Sequence, residues 1–147
     1  MSIFSIATSG LSAASLRVNV AASNIANVRT TGPLPASGGT SASAASSSTN
    51  STYPAAYVPL RVDQVDQSSG SMPGGTKAAV STVSPSYIAQ SDPGAPFANQ
   101  DGLVAAPNVD ITREFAELAA AKYSFIANTK VIQAYSETTE SLLDITT

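Results

Sequence analysis

Apolar and small residues recur at alternating steps of three and four at both ends of the chain, and this period is missing in between. Near the N-terminus the positions are Phe4, Ala7, Leu11, Ala14, Val18, Ala21, Ile25 and Val28; near the C-terminus they are Leu118, Ala121, Phe125, Asn128, Ile132, Tyr135, Thr139 and Leu142. One α-helical turn takes about 3.6 residues, so these steps keep side chains on one face. The spacing predicts a first helix over about 2–27 and a second over about 110–143. Gly32 and Pro33 stop the first. Pro107 forbids helix just before Asn108, Asp110 is placed as an N-cap, and Glu114 and Glu117 suit the positive end of a helix dipole. The second helix is then on the order of 50 Å long, a length that in a small chain calls for helical partners. Gly10 interrupts the first helix at a cost of up to about 1 kcal/mol relative to Ala, so close packing or a local bend is expected there.

The centre follows other rules. Residues 35–52, PASGGTSASAASSSTNST, are uncharged and of low complexity, and read as a flexible linker. Val58, Leu60 and Val62 then alternate with Pro59, Arg61 and Asp63, which predicts a strand over 57–65. Weaker strand patterns cover 77–83 and 87–90, with Gly70, Pro73, Gly74 and Gly75 in the first turn. Residues 91–108 read as a turn-rich extended connector in which Asp101-Gly102 is a tight-turn dipeptide. The expected fold class is α+β. Long N- and C-terminal helices pair in a coiled-coil-like arrangement around a small antiparallel β-rich middle of two to four strands. The organisation is a helix in 1–31, a linker in 32–52, a β-rich segment with its connector in 53–107, and a helix in 108–147.

A length of 147 residues allows one ordinary domain, but the apolar pattern sits at the two ends. The first stripe leans on Ala7, Ala14 and Ala21, which bury little area each, so an isolated chain is expected to be only marginally stable. Both an intrachain two-helix core and packing between chains fit the stripes. Asn128 and Thr139 favour a multi-helix assembly, because polar seam residues fix register at some loss of stability. The large stripe residues Leu11, Val18, Ile25, Leu118, Phe125, Ile132 and Leu142 are therefore the expected assembly interface.

Charge adds direction. Residues 1–31 carry Arg17 and Arg29 without an acid, whereas 108–147 carry Asp110, Glu114, Glu117, Glu137, Glu140 and Asp144 against Arg113, Lys122 and Lys130. Opposite signs favour pairing of the two ends, modestly and in a salt-dependent way. The overall charge of −3 gives no support for a nucleic-acid partner. No run of about 18 apolar residues marks a membrane span. The first basic residue is Arg17, so no cleavable secretion signal is visible, and any export is expected to read an uncleaved terminus.

Candidate chemistry is sparse. Cys, His and Trp are absent, which removes disulfides, thiolate and imidazole catalysis and nearly all zinc and haem sites. Asp110, Glu114 and Glu117 could be imagined as an acid–base pair or metal clamp, but a solvated, dipole-favoured helix start explains them more simply. Asp92, Asn99 and Asp101 offer oxygen ligands in a loop, yet their spacing fails the calcium-loop pattern. Asn50-Ser51-Thr52 is formally a glycosylation acceptor of the kind that arises by chance in such tracts. Neither a phosphate loop nor a nucleophile elbow is present, so no enzyme and no cofactor are expected.

Two stretches go beyond composition. ATSGLSAASLRVNVAASNIANVRTTG, residues 7–32, resembles the signature of bacterial flagellar axial proteins, with Asn24, Ala26, Asn27, Thr30 and Gly32 at its marked positions. Residues 92–132 resemble the flagellar basal-body rod family, and its FlgC type in particular, through Asp92-Pro93, Gly102, Pro107-Asn108 and the helix segment Phe125-Ile126-Ala127-Asn128. The resemblance implies a structural rod subunit whose terminal helices pack into an axial array with copies of itself and other rod subunits. It also implies export by the flagellar type III apparatus and a place in the periplasm-spanning basal body, without membrane insertion. Pro33 and the Ser/Ala tract depart from the family's usual continuation, which leaves open a diverged rod paralogue, or a secreted binding module that recognises a partner through its middle.

Overall fold

The computed structural model describes residues 3–35, 52–67 and 74–145; most of the expected linker, Asn50 and Ser51 of the acceptor triplet, and the turn positions Gly70 and Pro73 lie outside the described residues. Helix α1 runs Ile3–Asn27 and helix α2 runs Ile111–Ile145, within one or two residues of the bounds their periodicity sets. Asp110 caps α2, its Oδ1 accepting from the backbone N–H groups of Thr112 at 2.9 Å and Arg113 at 3.3 Å. Past α1, the Thr30 N–H and hydroxyl both donate to the Asn27 carbonyl, at 3.0 and 2.7 Å, and this turns the chain toward Gly32.

Among the described residues, four strands form two separate antiparallel hairpins. Strand β1, Leu60–Asp66, pairs with β2, Thr76–Thr82, in a register that sets Leu60 opposite Thr82. Strand β3, Tyr87–Ser91, pairs with β4, Leu103–Pro107, with Tyr87 opposite Pro107. A cis Ser84–Pro85 peptide bond lies in the link between β2 and β3. Strand β4 falls inside the stretch expected to be extended connector. Its sequence LVAAP does not alternate, because Val104, Ala105, Ala106 and Pro107 are all buried.

Helix α1 is the middle layer. One side lies antiparallel against α2. The other carries the β1–β2 hairpin, whose open end meets Asn24 and whose closed end meets Ser9. Ser9 to Asn24 spans about 22 Å of helix, the same length as a seven-residue strand, so hairpin and helix lie side by side along their lengths. This double cover explains the buried set of α1, which is Ala7, Ala13, Ala14, Val20, Ala21 and Asn24. Ala7, Ala14 and Ala21 belong to the sequence stripe. Ala13 and Val20 fall toward the Ser9 side of the helical wheel, where the hairpin packs.

Candidate assembly surface

Asn24 is wholly buried and joins three elements. Its Nδ2 donates to the Leu60 carbonyl at 2.7 Å and to Glu114 Oε1 at 2.9 Å. Its Oδ1 accepts from the Leu60 N–H at 3.1 Å and from the Tyr57 hydroxyl at 3.0 Å. Two donors and two acceptor sites are the whole capacity of a carboxamide, so nothing is left over. The Tyr57 proton goes to Asn24, and the Ser23 hydroxyl, 3.1 Å away, supplies the other bond to Tyr57. One side chain of α1 thereby fixes the start of β1 and the first turn of α2.

Several of the other marked positions also make packing or hydrogen-bond contacts. Gly32 exchanges both backbone bonds with Ala105 of β4, at 3.0 and 2.9 Å. A Cβ on Gly32 would meet Ala56 N at 2.3 Å, Ala55 C at 2.8 Å and Pro54 O at 2.9 Å. All three are backbone atoms that cannot swing aside, so only glycine fits between β4 and the 54–56 segment. Asn27 donates its Nδ2 to the Ser23 carbonyl at 2.9 Å. In the β3–β4 loop Asp92 N–H donates to the Gly102 carbonyl at 2.9 Å, and Gly102 adopts φ +72° with Pro93 packed against it. Asn108 Nδ2 donates to Pro85 O at 2.9 Å. Ala26 is exposed on α1.

The seam between the helices is built from small groups. Gly10 faces Asn128 so closely that an added Cβ would lie 2.6 Å from Asn128 Oδ1 and 2.8 Å from its Cγ, which satisfies the expectation of close packing. Asn128 keeps its Nδ2 on the Ser124 carbonyl at 2.8 Å. Arg17 and Glu117 form an ion pair across the seam, the attraction between oppositely charged ends seen at residue level. In α2 only Ala121 is buried.

The seven large stripe residues are not the buried seam of the single chain. Leu11, Val18, Ile25, Leu118 and Ile132 are half-buried, Phe125 is 43% exposed and Leu142 is 61% exposed. Phe115, Tyr123, Ile126, Val131 and Tyr135 are exposed on α2 as well, so its apolar groups run all round the helix. Val18, Leu118, Phe125 and Ile126, with Ser15, Asn19 and Lys122, line a groove of about 440 Å³ between α1 and α2. Val18 lies nine residues from Ser9, half a turn round α1, so the groove opens away from the hairpin.

The candidate chemistry resolves into packing. Asp110 caps, Glu114 holds Asn24 and Glu117 holds Arg17. Asn99 Oδ1 accepts from the N–H groups of Asp101 at 2.9 Å and Leu103 at 2.8 Å, which shapes the β3–β4 loop. Sequence patterning missed β4, and it marked Asn24 only through the family resemblance, without its role as a node.

Residues 4–33 match the family model of the flagella basal body rod protein, and residues 100–145 match that of the flagellar basal body rod FlgEFG protein C-terminal region. The chain is similar to the flagellar basal-body rod protein FlgC of Salmonella typhimurium strain LT2, with 36% identity over 135 residues, 90% of this chain and 87% of the relative. Similarity to the protein of the same name from Yersinia enterocolitica is 36% over 146 residues, covering 97% and 92% of the two chains. With that from Agrobacterium fabrum strain C58 it is 26% over 140 residues, covering 95% and 90%.

Proposed function

Because the chain belongs to the flagellar basal-body rod protein family, we propose that it is a structural, non-enzymatic subunit of the proximal rod of a bacterial flagellum. It assembles through α1 and α2 with other rod subunits and with copies of itself, and transmits torque as part of the axial shaft. The observation that carries this reading is the identity of 36% over 135 residues, joined to what the shared motif positions do here. Asn24 ties β1 to both helices, Gly32 ties the segment after α1 to β4, and Gly102 and Asn108 shape the β3–β4 hairpin and its link, while the large apolar residues of α2 are left for neighbours. Export through the flagellar type III apparatus, reading an uncleaved N-terminal segment, and a final position across the periplasm complete the proposal. No helix among the described residues is long and apolar enough to cross a membrane.

The test is deletion of the gene, followed by motility assays and electron microscopy of basal bodies, with complementation by the intact chain. The expected result is loss of motility and of complete rods, restored on complementation. Normal swimming with intact basal bodies that never contain the protein would overturn it.

A further inference from the structure

We draw no further inference here: the strongest candidate, the apolar groove between α1 and α2 floored by Val18, Leu118, Phe125 and Ile126, is an unpartnered face, and nothing in the structure shows what covers it.

Discussion

Asn24 and Gly32 carry the fold through opposite means, one by filling every hydrogen-bonding site and the other by having no side chain. Asn24→Asp keeps the shape but removes both Nδ2 donors, and sets a second carboxylate oxygen in their place, 2.9 Å from Glu114 Oε1. A buried acceptor facing acceptors and an unpaired charge together cost on the order of 3 kcal/mol or more. The variant should unfold at markedly lower denaturant concentration. Adding Glu114→Gln, which returns a donor, should recover part of the loss; no recovery would mean that the Glu114 contact is incidental. Gly32→Ala should cost about 1–3 kcal/mol by overpacking against the 54–56 backbone. It should also open the Gly32–Ala105 bridge, read as faster amide exchange at Ala105. A glycine replaced without effect there would contradict the geometry.

At the scale of elements, periodicity located what is covered on one side and failed where cover is double or complete. The first stripe found Ala7, Ala14 and Ala21 but not Ala13 and Val20, because α1 is enclosed by α2 and by the β1–β2 hairpin. Alternation found β1 at Val62, whereas β4, buried along Val104–Ala105–Ala106, gives no alternation to read. Local chemistry was legible where a single residue dictates it, as with the Asp110 cap and the Gly10 approach. That approach can be tested. Alanine at position 10 gains up to about 1 kcal/mol in helix propensity but collides with the Asn128 amide. Gly10→Ala alone should lower the melting temperature, while in an Asn128→Ala background the same change should be neutral or stabilising. Additive effects in the double-mutant cycle would show that the two residues do not set the helix spacing.

For the whole molecule, small apolar residues are buried and large ones on α2 are exposed, and the proposed rod function assigns the exposed ones to assembly. The single chain buries mostly alanines, with Val20, Val104 and Asn24, and leaves Phe125, Leu142 and their neighbours on the outside of α2. The sequence stripe could not make this distinction, since a pattern reports which face is apolar and not whether the covering helix belongs to the same chain. Phe125→Ala is the sharpest test of the split. Phe125 is 43% exposed, so truncation should cost the free chain at most about 1–2 kcal/mol, well below the 3–5 kcal/mol of a fully buried phenylalanine. In a repeating assembly every copy loses the same contact, so recovery in isolated basal bodies should fall steeply and swimming with it. Ala121→Leu, at the buried centre of the seam, should instead unfold the free chain before assembly is reached. Chemical denaturation of the purified variants, set beside their recovery in basal bodies, distinguishes the two. If Phe125→Ala assembles and swims like the wild type, the groove face is surface and not interface.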